Sequence, residues 1–180
     1  MRIITETNRL VLRELSHEDL PAMRNIFCDA ETMAVFGGAW SNEECLARLE
    51  KQLQSYRDNG FGRWAVILKA TGKVIGLCGL QYFDTDTETV PEIGYFFNHM
   101  FWHKGYATEA AVACKHYAFD ILGFEEVYSI MLGVNYASMN VAIRNGMLVR
   151  RHYMKREDDK DVIRYIFSTK KSDESGRETL

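Results

Sequence analysis

Glu92-Ile93-Gly94-Tyr95-Phe96-Phe97, followed by Trp102-His103-Lys104-Gly105-Tyr106-Ala107-Thr108-Glu109-Ala110, is the stretch on which the reading of this chain turns. The first run is apolar and aromatic, is bounded by Pro91 and Asn98, and predicts a buried strand. Ala107 through Leu122 carries apolar residues at helical spacing and predicts a helix. A loop with one glycine joins them. Such a loop, feeding a helix start, presents unpaired backbone N–H groups at the positive end of the helix dipole, which suits a diphosphate. Gly105 permits the tight path, Ala107 keeps the next inward position small, and Lys104 adds positive charge at the rim.

Glu-Ile-Gly-Tyr followed by Trp-x-x-Gly-x-Ala-Thr-Glu-Ala resembles the acetyl-CoA signature of the GNAT N-acetyltransferases, and within them the RimJ/RimL-like branch. The resemblance extends to Asn8-Arg9-Leu10-Val11-Leu12-Arg13, to Trp64 through Lys69 with Gly76-Leu77-Cys78-Gly79-Leu80, and to Asn135-Tyr136-Ala137-Ser138 with Gly146-Met147. It covers residues 8 to 167, and this order of motifs is more specific than the glycine turn alone. It implies one α/β (α+β) GNAT-like domain over residues 1–167. That domain has a mixed, mostly antiparallel central sheet, helices on both faces, and a split between the two central parallel strands. Residues 168–180 are polar and read as a disordered tail.

The chemistry that the resemblance implies is attack of a substrate amine on the acetyl-CoA thioester. The main chain at Tyr95, Phe96 and Phe97 is expected to hold the pantetheine, pairing with its amides as with another strand. Phe97 N–H is the oxyanion candidate and Glu92 the general base, acting directly or through a water. Trp102, His103, Lys104, Gly105, Tyr106, Ala107 and Thr108 form the expected pyrophosphate turn. Asn135 and Ser138 are candidates for the cofactor arm, with helix capping as the plain alternative. The family's usual tyrosine acid falls at Ala142 here, so the acid is unassigned, with Tyr95 and Tyr136 as alternative proton donors that the spacing does not select between. The need for a base depends on the acceptor. At pH 7 an α-amine of pKa ~7.8 is ~10% free, whereas a lysine-like amine near ~10.4 is below ~0.1% free.

Acceptor selection is expected from the first helices and the loop before Pro91. Asp84, Asp86 and Glu88 would form an acidic rim suited to a cationic amine, whether a protein N-terminus, a polyamine or an aminoglycoside. The alternative is a solvated loop. Phe36, Trp40, Tyr82 and Phe83 are read either as an apolar wall or as plain core. A non-catalytic acyl-CoA-binding sensor on the same fold is the competing function, made thinkable by Ala142.

Composition bounds the rest. With 180 residues, 47% hydrophobic and 26% charged, the chain has enough apolar mass for one core, and bulk disorder is excluded. A net charge of -3 leaves no general basic surface, so no nucleic-acid partner is expected, and Arg150, Arg151, Lys155 and Arg156 read as a solvated strand end. No apolar run approaches the ~20 residues that span a bilayer, and the first ten residues lack a signal-peptide core. A cytoplasmic monomer or homodimer is expected. Cys28, Cys45, Cys78 and Cys114 lie far apart with no Cys-x-x-Cys and read as reduced core fillers. His99 and His103 fall across a loop, and no metal site is expected.

The remaining pattern gives a strand at Leu10–Arg13 and a helix from the Ser16–Asp19 capping signal to Phe27. A second capped helix runs from Ser41 to Asn59-Gly60. Strands at 64–69 and 74–83 flank the Ala70-Thr71-Gly72-Lys73 turn. A strand at 127–134, a helix at 138–144 and a hairpin of 148–153 with 162–167 close the fold.

Overall fold

In the computed structural model, which describes residues 2–157 and 160–175, one mixed sheet runs through the molecule. Its strands are β1 (Ile3–Glu6), β2 (Leu10–Arg13), β3 (Arg63–Leu68), β4 (Lys73–Asp84), β5 (Thr89–Phe97), β6 (Glu126–Leu132), β7 (Leu148–Glu157) and β8 (Lys160–Lys170). They lie in the order β1-β2-β3-β4-β5-β6-β8-β7. Every neighbouring pair is antiparallel except β5 and β6, which run parallel. The parallel pair is joined by the crossover helix α4 (Tyr106–Asp120), as a parallel connection requires.

Helices cover both faces. On one, α1 (Leu20–Phe27), the single-turn α2 (Ala30–Met33) and α3 (Asn42–Asn59) bury Met23, Ile26, Phe27, Cys45 and Leu49 against Ala65 and Leu77. On the other, α4 lays Ala110, Ala111, Cys114 and Ala118 on Val66, Cys78, Leu80 and Ile93, with α5 (Tyr136–Arg144) adding Ala142. The small residues of α4 let the helix approach the sheet closely. Ser41 caps α3 by accepting from Glu44 N–H at 3.1 Å, while Glu44 returns a 2.7 Å contact to Ser41 N–H.

The boundaries differ from the sequence reading where local signals are weak. β1 was not foreseen, because four residues at a sheet edge, with Ile3 57% exposed, carry no alternation. The last hairpin is longer than expected. Its β8 continues to Lys170 with Ser168 and Thr169 buried, and α6 (Ser172–Ser175) follows, so the ordered domain extends past residue 167. The register across β6 decides this, pairing Val127 with Thr169, a contact that polarity alone does not reveal. Residues 176–180 of the expected tail lie outside the described residues.

The cysteines, far apart in sequence, meet as two thiol pairs, Cys28–Cys45 at 3.5 Å and Cys78–Cys114 at 3.4 Å. Burial, with the neighbouring thiol, pushes Cys45 up to about 12 and Cys114 well above an ordinary thiol, while Cys28 is exposed. In the native protein a thiol reagent is therefore expected to titrate Cys28 rapidly and the other three only after denaturation. Rapid reaction of two or more thiols would contradict this packing.

Arg13 grips Asp19 through two 2.7 Å bonds, and Ser16 N–H adds one at 2.8 Å. Burial pushes the Asp19 carboxyl up, but these donors outweigh it and hold the group below the ordinary carboxylate range. Its stabilisation is present above the unfolded value and is lost as pH falls through the lower folded value, that is, below about 4. Urea unfolding of wild type and Asp19→Asn should show a gap of about 1–3 kcal/mol at neutral pH that narrows toward pH ~3. A gap independent of pH would contradict it.

Candidate active site

β5 and β6 are bridged at one register position, Glu92 to Tyr128, and then part. Which groups face the gap follows from the β4 ladder. Asn98 N–H bonds Ile75 C=O at 3.1 Å, continuing the register in which Phe97 faces Gly76. Bonded and non-bonded pairs alternate in an antiparallel ladder, so Phe96, Gly94 and Glu92 spend their amides on β4, and Ile93, Tyr95 and Phe97 turn theirs toward β6. Two contacts agree. Ser129 Oγ, on β6, donates to Ile93 C=O at 2.8 Å, and Trp102 Nε1 donates to Phe97 C=O at 2.7 Å. The gap thus receives the main chain of Tyr95 and Phe97. Phe96, expected to contribute its main chain, contributes its ring.

Where the strands part lies a cavity of about 180 Å³ lined by Arg63, Glu92, Gly94, Tyr95, Phe96 and Ser129, with Asn135 and Ser138 among the remaining residues. Glu92, the expected general base, is buried at 4% exposure. Its Oε2 accepts from Gln81 Nε2 at 2.7 Å and from Arg63 Nη2 at 3.1 Å. Arg63 is itself 5% exposed. Burial lowers its guanidinium below the ordinary value and the Glu92 charge pulls the other way, but the ordinary value is so high that the cation persists. Gln81 was missed because it is a single polar residue within an apolar strand pattern, and Arg63 because it falls just before the strand read at 64–69.

Asn135 caps α5 by accepting from Ser138 N–H at 3.1 Å, and both residues face the cavity. Tyr95 donates its hydroxyl to Ser138 C=O at 2.8 Å, and burial pushes this phenol far above its ordinary value. Its proton is therefore held at the α5 end, and Tyr136 is 70% exposed. Ala142 packs into the core at 1% exposure.

Residues Trp102 to Thr108 do not line the cavity but form the turn beyond it, at the start of α4. Gly105, at φ 79°, needs the left-handed conformation that glycine adopts freely. The first bond of α4, Glu109 N–H to Gly105 C=O at 3.0 Å, leaves the amides of Tyr106, Ala107 and Thr108 ahead of it. Lys104 bends back to Met100 C=O at 3.2 Å, whereas Arg9 crosses the turn. Arg9 bonds Lys104 C=O at 2.9 Å and Glu109 at 2.6 Å, with its guanidinium 4.5 Å from the Tyr106 ring centre. The run before the turn is pinned from α1 and α2, since Asn98 donates to Asn25 C=O at 2.7 Å and His99 Nδ1 lies 2.8 Å from Asp29.

Two of the three expected rim residues are engaged, since Asp86 pairs with Arg151 at 2.6 Å and Asp84 accepts from Thr89, while Glu88 is exposed. Of the four aromatics weighed for an apolar wall, Phe36 lines the cavity. Trp40 stacks on Phe27 at 4.6 Å, Tyr82 meets Phe61, and Phe83 packs beside Val90 and Ile130. Among the described residues, no group of three His, Cys, Asp or Glu side chains is placed to hold a metal, and no helix is long and apolar enough to cross a membrane.

A sheet whose parallel pair opens beside a crossover helix defines the class, and comparison with known proteins agrees. The chain matches the acetyltransferase (GNAT) domain over residues 9–148 and belongs to that family. It is similar to a Bacillus subtilis (strain 168) protein described as uncharacterized protein YkkB, 31% identical over 150 residues, 83% of this chain and 85% of the relative. Its fold is similar to that of a GNAT-family acetyltransferase from Bacillus anthracis, with a TM-score of 0.82 at 21% identity over 96% of this chain and 99% of the other. It is also similar to RimL, a ribosomal L7/L12 alpha-N-protein acetyltransferase solved in complex with coenzyme A, with a TM-score of 0.75 at 14% identity over 94% and 98%. The chain is an acetyltransferase.

Replacing Arg63 or Glu92 alone with leucine leaves a buried charge and should lower the unfolding free energy by about 3–5 kcal/mol, whereas the double replacement should cost clearly less than the sum. Urea titrations of the four proteins check this. Additive costs would mean that the two groups do not act as a pair.

Proposed function

We propose that the protein is an acetyl-CoA-dependent N-acetyltransferase that passes the acetyl group to a primary amine by direct attack. The observation that carries this reading is the gap between β5 and β6, where the main chain of Tyr95 and Phe97 opens beside the buried Glu92 carboxylate. A chain of amides laid along β5 would complete the edge that β6 abandons. The free amides of Tyr106, Ala107 and Thr108, with Arg9 close by, suit a diphosphate at the α4 start.

In this reading the acceptor nitrogen attacks the thioester carbonyl carbon and forms the C–N bond of a tetrahedral intermediate, whose collapse breaks the C–S bond and releases the thiolate, which takes a proton from solvent. Phe97 N–H faces the developing oxyanion, and Glu92 takes the proton that the ammonium must lose. A thiolate of cysteine-like pKa, ~8.5, needs little help from an acid, which fits an enclosed Ala142 and a Tyr95 whose proton is engaged elsewhere. The RimL likeness supports a protein α-amine as acceptor, and the pairing of Asp86 with Arg151 weighs against selection by an acidic rim.

The test is amine-dependent CoA release from acetyl-CoA against peptide N-termini, polyamines, aminoglycosides and free amino acids. Turnover should fall by about 100-fold or more in Glu92→Gln, most steeply for high-pKa amines, with acetyl-CoA affinity retained. Binding of acetyl-CoA without turnover of any amine would favour the sensor reading.

A further inference from the structure

We propose that Arg63 is the positioning residue for Glu92, and that position 94 is glycine because the Arg63 guanidinium lies on it. The inference rests on the acetyl-transfer reading above. Arg63, Gly79 and Gly94 stand in one row across β3, β4 and β5. A methyl group at residue 94 would overlap Arg63 Nη2 and come 2.8 Å from Nε, so the absence of a side chain there is the seat of the guanidinium. The opposite constraint comes from Phe96, whose ring centre is 5.1 Å from the Arg63 guanidinium carbon.

The root of the side chain is fixed as well. Arg63 N–H bonds Gln52 Oε1 at 2.7 Å, and its C=O accepts from Tyr56, both on α3. With its base, plane and tip all held, the side chain delivers Nη2 to Glu92 Oε2, and Gln81 delivers a second donor to the same oxygen. Arg63 and Gln81 thereby fix the carboxylate rotamer and leave Oε1 to take the proton of the acceptor.

A role in packing alone explains the arrangement poorly. Arg63 Nε is buried without a hydrogen-bond partner, and two buried charges with a bare glycine are a costly way to fill a core that leucines would fill better. The orphaned Nε is what results from aiming Nη2 at Glu92 rather than satisfying every donor. Both residues also face the cavity.

Wild type, Arg63→Met, Arg63→Lys, Gly94→Ala and Glu92→Gln are compared with acetyl-CoA and whichever amine of the panel is turned over fastest, over roughly pH 6 to 9. Arg63→Met and Gly94→Ala should each lower kcat about 10- to 100-fold while the KM for acetyl-CoA changes less than about twofold. Arg63→Lys should recover part of kcat. Gly94→Ala displaces only the end of a flexible side chain, so it carries the test if Arg63→Met does not fold.

Wild-type kcat in Arg63→Met and Gly94→Ala, beside an inactive Glu92→Gln, would overturn this inference and leave the acetyl-transfer reading intact. Loss of kcat and stability in Arg63→Met with wild-type kcat in Gly94→Ala and no recovery in Arg63→Lys would assign Arg63 to packing and also overturn it. Full activity in Glu92→Gln, or no turnover of any amine by wild type, would remove the acetyl-transfer reading and this inference together.

Discussion

A strand that turns N–H and C=O groups toward a neighbour that moves away is the constraint from which the rest of this molecule follows. β5 spends alternate residues on β4 and aims the others at β6, yet β6 stays with it for one bridge. Backbone groups without partners are costly inside a protein, so an open pair of this kind is sustained only where something else completes it. Ser129 supplies a side chain for Ile93, and Trp102 supplies one for the Phe97 carbonyl. The main-chain groups between these two points are left open toward the gap. The parallel pairing also forces the crossover through α4, and so brings a helix start to the end of the same opening.

Electrostatics then gives the opening its chemistry. Glu92 sits at the last point where the two strands meet, so it is held by the sheet on one side and faces the cavity on the other. A carboxylate in such a place needs donors, and Arg63 and Gln81 come from the next two strands of the sheet. The cation can lie there because residue 94 has no side chain in its place, whereas a side chain at residue 79 would press on the backbone of Gly62 and Arg63. Packing and charge are therefore one arrangement here. The glycine of Glu-Ile-Gly-Tyr serves the ion pair, whereas the glycine of the later turn serves backbone conformation.

The N-terminal strands belong to the same arrangement, although they lie far from the cavity in sequence. Thr7 and Arg9 both bond Glu109, and Arg9 also reaches the Lys104 carbonyl and the Tyr106 ring. Burial pushes the Glu109 carboxyl up, but its donors outweigh this and hold it below the ordinary range. The first turn of α4 is thus tied to β2, and its open amides are presented at a fixed angle.

Much of this was legible in the sequence by itself. The aromatic strand, the glycine turn and the helix after it are local patterns, since a strand declares itself by period and boundary, and a helix start by its loop. The parted parallel pair, Glu92 as its acid, and Asn135 with Ser138 came instead from the resemblance of these motifs to the GNAT family, which gave them residue numbers. What only the tertiary structure decided is everything set by register between distant strands. It chose Tyr95 and Phe97 over Phe96 for the gap, brought Arg63 and Gln81 to Glu92, paired the four thiols, tied Asp86 to Arg151, and carried β8 past residue 167. The physical reason is that side-chain period is a property of one segment, whereas a hydrogen-bond partner or a counter-charge depends on which segment lies alongside, and no single stretch of sequence records its neighbour.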